Sequence, residues 1–174
     1  MPNTYKIISS NILSTDTSTV VFDSIPTTFT DLSLICSVRD NSSSEFGALK
    51  VTFNSNTSSF YYRVLIFQVG GNTIQVAENT TGISGLTLAR HTTGNTAVGN
   101  VFSNTEIYIP GYTNSTYHPI SSFGAGENNS ESAGLAFGAG EWQQNAAINS
   151  ITLDSNGSTF KSGSSFYLYG ISNA

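Results

Sequence analysis

At 174 residues the chain suffices for one domain that buries roughly 70% of its unfolded surface, and its single cysteine excludes a disulfide framework or a cysteine-based metal site. Charged residues make up only 10%, against about 25% in an ordinary domain. Ser, Thr, Asn and Gly take their place, so contacts made by this surface depend little on salt. The net charge of −5 and pI near 4.7 argue against nucleic acid as a partner, and three Lys and three Arg scattered singly predict no basic patch.

No apolar run is long enough to span a membrane. The opening Met-Pro-Asn-Thr-Tyr-Lys lacks the apolar stretch of a signal peptide. The expectation is a chain that reaches the outside of a cell only within a larger assembly or after lysis. So little charge provides poorly for an isolated soluble monomer, which also fits life in an assembly.

No window repeats apolar residues at helical spacing. Short apolar or alternating runs are cut by Gly, Asn, Ser and Thr clusters, the pattern of an all-β sandwich or barrel. Tyr5 to Leu13 reads as a first, weak strand behind an arm, Met1 to Lys6, that can reach a neighbour. Thr19 to Phe22 is apolar, and Pro26 turns the chain because proline cannot donate to a sheet ladder. In the strand Leu32 to Arg39, residues Leu32, Leu34, Cys36 and Val38 fall on a core face. Ser33, Ser37 and Arg39 fall on a wet one, with Ile35 the exception. Cys36 is expected as a small buried apolar residue.

After a polar loop at Asp40 to Glu45, Leu49, Val51 and Phe53 alternate with polar residues. Phe60 to Val69 is apolar on both parities, so the strand is covered on both sides. The second cover is either another subunit or a loop of the same chain. Gly70-Gly71-Asn72 reads as a tight turn into Thr73 to Ala77. Leu86 and Leu88 mark a short strand, His91 to Asn100 a loop, and Thr105 to Ile109 a strand ended by Pro110-Gly111. Tyr112, Tyr117 and His118-Pro119 sit in the loop that follows.

Phe123-Gly124-Ala125-Gly126-Glu127 recurs as Phe137-Gly138-Ala139-Gly140-Glu141. Turn material at Asn128 to Ser132 makes the copies arms of one hairpin. Their glycines share a parity and leave a bare face for close approach. This is packing geometry rather than a phosphate loop, which needs a helix start and basic residues. The chain closes with Ile148 to Asp154, a connection holding Asn156-Gly157, and Ser165 to Ile171. That last strand is again apolar on both faces and is expected to be central.

Chemistry-bearing residues are few. Neither His91 nor His118 has a carboxylate or cysteine at a recognisable spacing, so a Ser-His-Asp set has no support beyond abundant serine. Glu127, Glu131 and Glu141 could pair for glycoside hydrolysis, but acidic residues at strand ends facing solvent explain them better. Asp154 to Gly157 lacks the glycine position and closing Glu of a calcium loop. The Asn-x-Ser/Thr sequons follow from composition. The sequence predicts no enzyme, no cofactor and no metal. Trp142, beside Gln143 and Gln144, is the best candidate for stacking a sugar ring, with Tyr112 and Tyr117. The alternative is a Trp capping the core with its N–H satisfied at the edge.

Two stretches carry a resemblance. Phe22 to Leu34 resembles a recurrent F-x-S-I-P-x-T-aromatic-x-x-L-x-L opening. Phe160 to Ile171 resembles a recurrent F-x-x-G-S-x-F-x-L-Y-G-I close. The pair is similar to small virion proteins of tailed phages, notably those of cyanobacteria and other aquatic bacteria. The resemblance implies a capsid decoration (cement) protein on the outer capsid surface. It would be a jelly-roll-like antiparallel sandwich, one domain over 1–174, seated as a homotrimer on the major capsid protein. No catalytic residues carry over. The strands with two apolar faces supply the expected self-association residues: Tyr61, Tyr62, Phe67, Tyr167 and Tyr169. The rival reading is a glycan-binding or accessory module of a phage fibre, spike or tail.

Overall fold

The computed structural model describes residues 4–69, 73–128 and 133–172. Among them every regular element is a strand, and the strands form two antiparallel sheets. The large sheet holds β1 (Tyr5–Ile12), β3 (Asp31–Val38), β5 (Tyr61–Val69), β6 (Gln75–Ile83), β8 (Ser103–Ile109), β9 (His118–Glu127), β10 (Ala133–Trp142) and β12 (Ser165–Ile171). Their spatial order is β1-β12-β3-β8-β9-β10-β5-β6. The small sheet holds β2 (Thr19–Phe22), β4 (Phe46–Phe53), β7 (Leu86–Thr93) and β11 (Ile151–Asp154), in the order β2-β11-β4-β7. The expected all-β antiparallel sandwich therefore forms, with four strands covering one face of eight.

The alternation in β3 places Leu32, Leu34, Cys36 and Val38 in the core. Opposite them lie Val20 and Phe22 of β2, Leu49, Val51 and Phe53 of β4, and Ile151 and Leu153 of β11. Burial pushes the Cys36 thiol far above its ordinary pKa. The proline corner carries the chain from β2 in the small sheet to β3 in the large one. It is held from above by Tyr112, whose O–H donates to the Pro26 carbonyl. β12 lies between β1 and β3, second from the edge of the sheet, with one apolar face in the core and the other half-exposed on the outer face.

The two glycine-rich copies are the arms of β9 and β10, and Phe123 stands opposite Phe137. Their glycines face β7. A Cβ on Gly126 would lie 1.9 Å from the His91 carbonyl oxygen, and one on Gly138 would lie 3.2 Å from that of Leu88. The repeat is a bare track on which the backbone of β7 rests, so the sheets approach more closely here than side chains would allow.

Several expectations need correction. Arg39 is buried rather than wet: it lies just past the end of β3 and turns under the 94–101 loop. There Nη1 donates to Val98 O at 2.6 Å and Val101 O at 3.2 Å, and Nη2 to Ala97 O at 2.7 Å and Asn95 O at 3.3 Å. β7 continues through Thr93, so His91 is in a strand, and β9 begins at His118, so His118 and Pro119 are too. Pro119 is the second residue of β9, exposed and beyond the end of the pairing with β8. The strand expected from Ile148 starts only at Ile151. Asn156 and Gly157 do adopt positive φ, 54° and 103°. They connect strands of different sheets, however, and close no hairpin. The expected turn at Gly70 to Asn72, the tip of the turn at 129–132 and residues 1–3 of the expected arm lie outside the described residues.

Candidate functional site

The small sheet covers the inner face of the large one, and among the described residues nothing covers the outer face. The register dictates what stands on it. Ile35, Glu106, Phe123, Phe137, Ile66 and Val76 follow one another across six strands. Ile35 thus breaks the polar alternation of β3 because it belongs to this row.

Phe123 is 45% exposed, Phe137 51%, Ile66 44% and Val76 67%, and exposed Leu135 and Ile74 extend the block. The two phenylalanine rings lie 4.9 Å apart, tilted by 39°. Ile66, Ile74, Leu135 and Phe137 surround a shallow apolar dimple of about 70 Å³. An aromatic side chain carries about 200 Å², so the exposed apolar surface is on the order of 500 Å², near the most a monomer normally shows.

At the other end of the same face stand tyrosines. Tyr5 is exposed, Tyr167 and Tyr169 are half-buried on β12, and Tyr108 on β8 donates its O–H to Asp31 Oδ2 at 2.8 Å. That donated proton is held more firmly, so the Tyr108 pKa rises.

Of the residues singled out for self-association, Tyr62, Tyr167 and Tyr169 lie on this open face. They do not form one cluster: β12 and β5 are five strand spacings apart, about 24 Å. Tyr61 points the other way and is buried. Its hydroxyl donates to Asn56 O at 2.7 Å and accepts from the Phe53 N–H at 3.0 Å, and burial pushes its pKa up to about 12. Tyr61 is therefore a core residue rather than an interface residue. Phe67 shares the inward parity and lies under the Arg90 guanidinium.

The ligand-contact candidates separate likewise. Trp142 is 1% exposed, stacked on the His118 ring at 5.6 Å and packed against Phe53 at 5.7 Å. It is a core residue, as the alternative reading expected, although its indole N–H is buried with no hydrogen-bond partner among the described residues, and it is not placed to stack a sugar. Tyr112 is buried under the proline corner. Tyr117 alone is exposed.

Nor do the histidines meet a nucleophile and an acid. His91 Nε2 lies 2.9 Å from Asn104 O and 3.1 Å from Thr105 Oγ1, and burial lowers its pKa. His118 Nε2 lies 2.9 Å from Ala146 O. Glu127 and Glu141 share the outer face but stand at opposite ends of the hairpin, about 27 Å apart at strand rise, too far for paired glycosidase carboxylates. Among the described residues no three His, Cys, Asp or Glu gather closely enough to hold a metal ion.

The residues that do gather, Phe123, Phe137, Ile66, Ile74, Val76 and Leu135, were visible in sequence only as apolar residues of unassigned face. The outward parity of both repeat phenylalanines was the available signal. A scan against protein-family models finds none that matches the chain, and a search of curated proteins finds no match either.

Proposed function

We propose that the chain is a non-enzymatic structural protein of a tailed-phage virion. It acts as a capsid decoration protein that assembles as a homotrimer on the major capsid shell. The observation that carries this reading is the open face of the large sheet, with its contiguous block from Phe123 to Val76. Apolar patches on that scale are often functional. The surrounding surface is neutral and polar, which keeps such contacts insensitive to salt. Many copies, each adding a modest contact, tighten a shell by multivalency. The resemblance of Phe22 to Leu34 and Phe160 to Ile171 to small phage virion proteins supplies the shell as partner.

The test is co-sedimentation of the purified chain with phage capsid shells stripped of decoration. The reading predicts saturable binding at symmetric positions, retained at high salt and lost in a Phe123→Ser, Phe137→Ser double variant that still folds. Absence of binding by the folded wild-type chain would refute it. The glycan-binding alternative loses its best residues, because Trp142 and Tyr112 are buried.

A further inference from the structure

The expectation of scattered cations fails at one end of the sandwich. There β7, the edge of the small sheet, faces β5 of the large one. Arg63 points inward from β5, is buried, and donates Nη1–H to the Thr87 carbonyl at 3.0 Å. Arg90 stands three residues further along β7, exposed, with its guanidinium carbon 5.4 Å from the centre of the Phe67 ring. Lys50 enters from β4 with its Nζ 3.8 Å from Asp154 Oδ2. These three are half of the six cations in the chain, and all line one cavity of about 320 Å³.

Burial, and then the like charge of Arg90, lower the Arg63 pKa. A chain of net charge −5 has thus concentrated positive charge in a recess, where low-dielectric walls focus its field. Guanidinium groups present planar forks of N–H donors that fit carboxylate, sulfate or phosphate oxygens.

Arg90 and Asn156 also line a second, larger lobe of about 750 Å³, so the two form one groove. The larger lobe is walled by hydroxyls and amides, among them Ser42, Ser44, Ser155 and Asn156, with the Phe46 ring beside them. Asp40, with no exposed surface, lies in this wall. Its Oδ1 accepts from Ser42 N–H at 3.0 Å and Ser42 Oγ at 2.6 Å, and its Oδ2 packs against the backbone of Gly47 and Ala48. Ser42, Ser44 and Asn156 present half-buried or exposed polar groups to this lobe, and ligand hydroxyls are the groups that would match them.

We propose that this two-lobed groove binds an acidic saccharide. Its anionic group sits among Arg63, Arg90 and Lys50, and its hydroxyls meet Ser42, Ser44 and Asn156. A uronate carboxylate and a sulfate ester share the chemistry the basic lobe selects. The groove is distinct from the open face proposed for assembly, so this activity does not depend on that reading.

Calorimetric titration of the full chain at low salt tests it with four probes: a tetragalacturonate, a sulfated galactan tetrasaccharide, neutral maltotetraose and inorganic sulfate. The expected result is saturable binding of an acidic tetrasaccharide, about tenfold or more tighter than maltotetraose or sulfate. Which of the two acidic probes binds identifies the anionic group. Arg90→Gln, at an exposed position that leaves the thermal melt unchanged, weakens that binding about tenfold or more. No acidic binding, acidic binding no tighter than neutral or inorganic, or binding indifferent to Arg90→Gln would each overturn the proposal. An unchanged Asn156→Gly titration in a folded variant would overturn the role of the hydroxyl lobe.

Discussion

Replacing Gly126 with alanine adds one methyl group where the sheets meet most closely. That methyl would lie 1.9 Å from the His91 carbonyl oxygen and 3.2 Å from a Phe46 ring carbon. Carbon–oxygen contacts below about 3 Å are not sustained, so β7 must retreat from β9 by roughly 1 Å. The obstacle is backbone, held in the small sheet by its pairing with β4, and no rotamer change relieves it. Overpacking of this kind costs about 1–3 kcal/mol, and a backbone obstacle argues for the upper end. The smaller entropy of the unfolded alanine chain returns about 0.5–1 kcal/mol. The net loss is about 2 kcal/mol, a fall in melting temperature of roughly 4–8 °C for a chain this size. Urea denaturation followed by tryptophan fluorescence measures it, since Trp142 lies in the core. Gly99→Ala is the control: nothing lies within 4 Å of that added methyl, so stability should stay within about 0.5 kcal/mol of wild type. A Gly126→Ala protein as stable as the control would refute the view that the repeated glycines exist to seat β7.

His91 should make the fold sensitive to mild acid. Burial lowers its folded pKa below the unfolded value near 6.5. Below that pH the unfolded chain takes up a proton that the folded chain resists, so this contribution falls with pH by at most about 1.4 kcal/mol per unit until the depressed value is reached. Denaturation midpoints at about pH 7.5 and 5.5 should show the loss, and His91→Gln should flatten it. Asp40 acts with the opposite sign: burial raises its pKa, so its contribution declines as pH rises through that raised value. Arg39→Leu removes a guanidinium that holds four carbonyls of the 94–101 loop. A loss of about 3 kcal/mol is expected, with early proteolysis in that loop, and an unchanged melt would contradict the clamp.

Much of the fold was legible because period-two alternation marks faces directly. Leu32, Leu34, Cys36 and Val38 went to the core, and the paired repeats formed the hairpin with Phe123 opposite Phe137. Alternation does not say what covers a face. Tyr61 and Tyr62 looked equivalent in sequence, yet the small sheet buries one and leaves the other half-exposed. Trp142 and Tyr112 were ligand candidates for the same reason, and both lie in the core, where the alternative reading had put Trp142. Arg39 was assigned by parity just where the strand ends and parity stops applying. The convergence of Lys50, Arg63 and Arg90 lay beyond any local pattern, because it depends on which edge strand of one sheet faces which strand of the other.

The central claim is that the open face of the large sheet is an assembly surface, and the mass of the chain in solution tests it most directly. Sedimentation equilibrium at low and high salt should give a trimer of about 55 kDa, three times the 18.5 kDa chain. Phe123→Ser with Phe137→Ser should return it to a folded single chain. A wild-type monomer at high concentration that also ignores capsid shells would contradict the account.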